Sequence, residues 1–323
     1  MSLRRAVVLA AMAALPICDL SAQTLPASID KVPPELRDVY SQNAAVINAL
    51  VQTATGTGRS VSERLDAFQQ LRLSYPYLVT DVAVTLTKDD NTQLALAGTQ
   101  ALATRVVMMN HSEPPGGNHG HTAPGDPLAA VLEALRQRLE DNRLEVRAVA
   151  AAALTSLNDQ AALSKIASLY EGGRLNDQEA VRYFTLARPS AAAGYVEKVL
   201  EKGSNAAQSE ALTYLAPLPD YRGKIRDQYF LNKQRTEEIR ATAARVLAKS
   251  DPLFSTYALQ VTQDPSAPAE VVKNIYSGVL SKNAEVFDRT QLESFENSVK
   301  RTEALRPEVD FGPLRQQLRD IKG

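Results

Sequence analysis

Tryptophan is absent from this 323-residue chain, cysteine occurs once and aromatic residues make up only 6% of it. Each shortage excludes something. The single cysteine, Cys18, rules out an internal disulfide, so packing must supply the stability. Scarce large rings argue for helices that approach closely through small side chains. Histidine occurs three times, as His111, His119 and His121, all within one Pro- and Gly-rich segment. No Ser, His and Asp arrangement on a rigid frame therefore points to a nucleophile. Neither sign of charge prevails: 36 basic residues face 37 acidic ones. That balance provides no basic stripe for a nucleic-acid backbone. Long apolar runs are missing too, since the longest, residues 6–17, has 12 residues and is too short to span a bilayer.

That run has the setting of a secretory signal. Arg4 and Arg5 precede it, and Leu20-Ser21-Ala22 offers small residues for cleavage after Ala22, leaving Gln23 as the new N-terminus. The expectation is a periplasmic or secreted protein with no integral membrane segment after processing. Leu15-Pro16-Ile17-Cys18 is similar to a lipoprotein box, but Ile17 is bulky where such boxes carry a small residue. Loss of Arg4, Arg5 and Asp19 leaves 34 basic and 36 acidic residues, and Cys18 goes with the signal.

What the chain does contain is internal repetition. Val146-Arg147-Ala148-Val149-Ala150-Ala151-Ala152-Ala153-Leu154 returns 93 residues later as Ile239-Arg240-Ala241-Thr242-Ala243-Ala244-Arg245-Val246-Leu247. Ninety-three is three times 31, and a period near that length marks a stacked helical array. Helix-start residues follow the period at Ser60, Asp90, Asn142, Asn176 and Asn205, each three residues before Glu or Gln, then at Thr236 and Ser266. Apolar anchors run in parallel at Leu71, Leu102, Leu154, Leu186, Leu215, Leu247 and Leu280. Pro76, Pro127, Pro189, Pro219 and Pro252 mark the start of a second helix in each unit, where a missing N–H costs nothing. Within 146–157, Val146, Val149, Ala150, Ala153, Leu154 and Leu157 fall on one helical face.

The pattern (Val/Ile)-Arg-Ala-x-Ala-Ala-x-(Ala/Val)-Leu resembles the first helix of HEAT repeats, most of all the short HEAT-like units described in phycobiliprotein lyases. The match is clear at 142–170 and 236–264 and degraded elsewhere between 60 and 299. The resemblance implies an all-α fold, a right-handed α-α superhelical solenoid of about seven helix pairs. Val146, Leu154, Ile239 and Leu247 would pack between units. It also implies that the arginine of the first helix, at Arg147, Arg182 and Arg240 with Lys273 in the fifth place, pairs with an acidic residue of a neighbouring unit. Glu210 breaks that series. Domain boundaries follow: a signal at 1–22, an N-terminal helix or cap at 23–59 with a helix from Pro34, repeats at 60–299, and a C-terminal cap at 300–323.

One interval in the series is about 20 residues too long, and it holds the segment 108–126. Three prolines and four glycines there predict an exposed loop, with the insertion at 110–126. His119-Gly120-His121 could present two imidazoles to one Zn, Cu or Ni ion, with His111, Glu113, Asp126 or a Met thioether completing the sphere; the other reading is a polar insertion without chemistry. The enzymes of the resembling family fit poorly. No His-Glu dipeptide is present to hold iron, the charge balance opposes a DNA glycosylase, and an export signal opposes a chromophore lyase. Gly56-Thr57-Gly58-Arg59-Ser60 lacks phosphate-loop spacing and reads as a helix end plus turn.

Seven aromatics cluster in 183–230, where the repeat is weakest. Tyr183, Tyr195, Tyr214, Tyr221 and Tyr229 are therefore candidate partner contacts, since tyrosine is favoured at interfaces; as an alternative they fill wide gaps between helices. The expected function is that of a non-enzymatic scaffold without a cofactor, holding a protein or peptide in the cell envelope. A metal-dependent role for 110–126 is the alternative.

Overall fold

A computed structural model describes residues 32–111, 127–283 and 287–322. Among them the chain is all-helical, with no strand. Two compact units emerge, 1–150 and 151–323, and each is described by itself.

In the first unit the helices are α1 (Pro34–Gln42), α2 (Ala44–Thr55), α3 (Val61–Ser74), α4 (Val79–Leu86), α5 (Thr92–His111) and α6 (Pro127–Arg138). The single N-terminal helix expected from Pro34 is thus interrupted at Asn43. Packing links sequence neighbours, α2 with α3 and α4 with α5, and also alternate helices, α2 with α4, α3 with α5 and α4 with α6. Gly98 of α5 makes the α4 contact possible: a Cβ there would lie 2.7 Å from the Ala83 carbonyl oxygen. Helix α7 (Leu144–Ser156) contains the division between the units.

The second unit continues with α8 (Gln160–Glu171), α9 (Asp177–Phe184), α10 (Pro189–Lys202), α11 (Asn205–Leu215), α12 (Pro219–Ile225) and α13 (Glu237–Ser250). Then come α14 (Phe254–Val261), α15 (Ala269–Asn283), α16 (Arg289–Leu305) and α17 (Gly312–Lys322). Helix α12 runs on into a π turn, Arg226–Phe230, which carries Tyr229 and Phe230 into the interior. Alternate helices again pack side by side: α8 with α10, α9 with α11, α11 with α13, and α13 with α15.

Local chemistry explains most starts. Ser60 and Glu63 close a capping box, the Glu63 N–H donating to Ser60 Oγ and the Ser60 N–H to Glu63 Oε2. Asn176 and Glu179 do the same for α9, and Thr236 Oγ1 accepts the Ile239 N–H for α13. Four starts differ from expectation: Arg143, not Asn142, precedes α7 and accepts the Arg147 N–H through its carbonyl. Asn91, not Asp90, accepts the Gln93 and Leu94 N–H groups. For α11 the N-cap is Ser204, without a side-chain bond, and Asn205 is already helical. Ser266 bends back to Asp264, and α15 begins at Ala269. Pro189 and Pro219 occupy first helical turns, whereas Pro252 lies in the turn before α14.

Leu71, Leu102, Leu154, Leu215, Leu247 and Leu280 are buried, but Leu186 is 48% exposed. The reason is that α9 ends at Phe184, so Leu186 falls in the following turn and Phe184 and Ala187 fill the interior in its place. Val146, Leu154, Ile239 and Leu247 have essentially no exposure.

The arginine series also needs correction. Arg240 is buried, and its Nε donates to the Phe230 carbonyl ten residues back. Arg64, four residues past its own cap like Arg240, makes the matching bond to the Ala54 carbonyl and an ion pair with Asp89. Arg147 donates to the Asp141 carbonyl. Arg182 lies six residues past its cap and is exposed, so it does not hold that position. Gln208 stands there in α11 and bonds the Gly203 carbonyl.

Candidate functional site

The tyrosine cluster lies largely inside the second unit. Tyr183 is 4% exposed and Tyr229 not at all, which removes both as partner contacts. Tyr229 donates to the Leu200 carbonyl at 3.2 Å and carries the Arg235 guanidinium over its ring. Tyr195, Tyr214 and Tyr221 are half-buried with their hydroxyls engaged. Tyr195 stacks on Phe184 and meets Ser164 Oγ at 3.0 Å; Tyr214 donates to the Ala187 carbonyl at 2.8 Å; Tyr221 donates to Glu197 at 3.3 Å. Burial pushes the Tyr214 phenol up to about 12. These three side chains join neighbouring helices through their rings and hydroxyls.

The histidine segment lies mostly outside the described residues: Glu113, His119 and His121 fall there entirely. Helix α5 runs on to His111 as its last residue, past the Met108 at which the loop was expected to begin. Among the described residues no group of three or more His, Cys, Asp or Glu is placed to hold a metal ion.

A different surface has the properties of a site. Helices α11, α13 and α15 lie side by side, and short polar side chains join them. Ser209 Oγ reaches Thr242 Oγ1 at 3.5 Å, and Asn274 Nδ2 donates to the Ala241 carbonyl at 3.1 Å. Two open clefts flank this seam and share Arg245. One, about 640 Å³, is lined by Thr213, Pro217, Arg222, Val246 and Lys249 together with Arg245. The other, about 510 Å³, is lined by Glu237, Glu238, Thr242, Glu270 and Asn274 together with Arg245.

The charges are sorted along the seam. Glu237 and Glu270 are committed at the acidic end, Glu237 accepting the Glu270 N–H at 3.3 Å and Glu270 pairing with Lys273 at 2.9 Å. Glu238, Arg245 and Lys249 are exposed and make no hydrogen bond or ion pair among the described residues. They stand at i, i+7 and i+11 of α13, spacings that a 3.6-residue period brings within about 20° of one line. Acids at the start and Lys249 at the end suit the macrodipole of α13. That account does not reach Arg245 in mid-helix. Nor does it reach Arg222 on α12, which spends one Nη on the Pro217 carbonyl and keeps a buried Nε without a partner.

The sequence held one signal for this surface. Arg245 and Thr242 stand where the other copy of the repeat has Ala152 and Val149. Departure from an apolar or small consensus on one helix face is where a repeat array differentiates its surface.

No family model, curated protein or solved structure matches this chain.

Proposed function

We propose that this protein is an exported HEAT-like repeat scaffold, a right-handed solenoid of helix pairs, which holds a polypeptide partner in the cell envelope on the outer face of α11, α13 and α15. The reading of export rests on residues 1–22. The observation that carries the repeat reading is a recurring bond length in sequence. Hydrogen bonds or ion pairs join residues one repeat apart throughout the second unit: Arg188 to Asn158, Tyr195 to Ser164, Ser204 to Asp177, Lys224 to Glu197, Asn274 to Ala241. Their separations run from 27 to 33 residues. Stacked units make such one-back contacts, because each buries its face only against its neighbours. A stack of this kind presents an extended ridge, and here the ridge carries open clefts with unpaired charges.

The test is site-specific photo-crosslinking in the native host from Thr213 and Asn274, with Lys198 on α10 as the control position. The expected result is one protein adduct shared by the first two positions and missing from the third. Deleting 112–126 is expected to leave that adduct at full yield. Its disappearance on that deletion would shift the function to the histidine segment, and no adduct at either cleft position would end the scaffold reading.

A further inference from the structure

Resting on the scaffold reading, we propose that the seam recognises an extended peptide segment of the partner carrying opposite charges a fixed distance apart. The acidic side chain of that segment meets Arg222, Arg245 and Lys249, and its basic side chain meets Glu238. Charge complementarity selects such a segment. Three cations converge on one cleft that no carboxylate lines. Two of the three are unpaired, and the third, Arg222, spends one Nη on the Pro217 carbonyl. Arginine supplies several donors in a fixed fork, which suits a carboxylate better than a lone ammonium does. At the far end, Glu238 is the carboxylate left over once Glu237 and Glu270 are committed to α15.

The spacing follows from helix geometry. Seven to eleven residues of α13 separate Glu238 from Arg245 and Lys249, which at ~1.5 Å per residue is about 10 to 16 Å. An extended segment rises about 3.3 Å per residue, so its charges stand about three to five residues apart. Between them the cleft is lined by Ala241, Thr242 and Asn274, and the Asn274 amide offers polar contacts to the backbone of the segment. The clefts lack the deep apolar pocket that an amphipathic helix would need for its anchors.

The experiment uses the full chain and fluorescein-labelled synthetic peptides. Each carries one Glu pair and one Lys pair, separated by zero to eight residues of Gly, Ser and Thr, with Gln controls. Anisotropy is expected to show tightest binding with about two to four intervening residues, which place the charges about three to five positions apart. Arg245→Glu with Lys249→Glu is expected to weaken it about tenfold or more, since like charges then face each other. That double variant should gain affinity for peptides whose Glu pair is replaced by Lys, a readout that a merely structural role would not give. Circular dichroism checks that these exposed substitutions leave the fold intact.

Binding that ignores spacing and both substitutions, or no binding by any peptide, overturns the proposal. So does concentration-dependent self-association abolished by the same substitutions, which would make a second copy the occupant. Photo-crosslinking from Thr213 and Asn274 separates the two readings: a protein adduct that persists in the charge-reversed chain removes the dipolar recognition and leaves the scaffold.

Discussion

Adding one methyl group at Gly278 should destabilise the second unit, although the same change usually strengthens a helix. Gly278 lies in α15, and a Cβ built there would sit 2.3 Å from Ala248 Cβ of α13. Ordinary carbon contacts lie at about 3.5–4.0 Å, so the two helices would have to part by more than about 1 Å. Neither atom can swing away, because each is fixed directly to its backbone. Overpacking of this kind costs about 1–3 kcal/mol, and the helix preference for Ala over Gly returns about 1 kcal/mol. With both atoms immobile, the upper part of that range applies, and a net loss of about 1–2 kcal/mol is expected for Gly278→Ala. Gly194 of α10 is the control, because a Cβ there meets nothing within 4 Å. Gly194→Ala should therefore gain up to about 1 kcal/mol. The swap Gly278→Ala with Ala248→Gly should return near wild type, since the methyl group only changes sides of one contact. Urea unfolding followed by circular dichroism gives the values as midpoint shifts at constant slope. If Gly278→Ala stabilised the chain as Gly194→Ala does, or if the swap failed to restore it, the close approach of α13 and α15 would be refuted.

Arg240→Ala should cost about 2–4 kcal/mol, since it strips a buried guanidinium from the Phe230 carbonyl, while exposed Arg182→Ala should stay within about 0.5 kcal/mol; equal effects would restore the repeat register read from sequence. Leu247→Ala should cost about 2–5 kcal/mol and Leu186→Ala far less, because only the first side chain is buried, again by urea unfolding. Tyr214→Phe leaves the Ala187 carbonyl without its donor and should cost about 1 kcal/mol at neutral pH. The folded chain holds the Tyr214 proton more tightly than the unfolded chain, from an ordinary 10.0 up to about 12. That contribution is complete below pH 10 and is lost as pH rises through about 12, so the variant should show a smaller alkaline loss of stability in melts across that window.

Much of the helical plan was legible because capping is local chemistry. Ser60, Asn176 and Thr236 need only an oxygen and a nearby N–H, which sequence spacing supplies. Asp90 misled because Asp89, Asp90 and Asn91 are all competent acceptors. The choice fell to Asn91 once Asp89 was taken by Arg64 and by the Asn91 N–H, and the Arg64 bond spans 25 residues. Leu186 kept the period but not the burial, since α9 ends at Phe184 and leaves it in the following turn. The tyrosines could not be sorted by type, as interfaces and interiors both favour a ring with one polar tip. Their hydroxyl partners lie 24 to 31 residues away, beyond any local pattern. The charged seam was half visible: Arg245 departs from Ala152 of the repeat, but its unpaired state depends on what α11 and α15 place beside it.

Hydrogen exchange with the crosslinked partner bound bears most directly on where the protein does its work. The account predicts new protection at 209–213, 238–249 and 270–274, with 183–202 unchanged. Protection confined to 183–202, or spread evenly over the second unit, would contradict it.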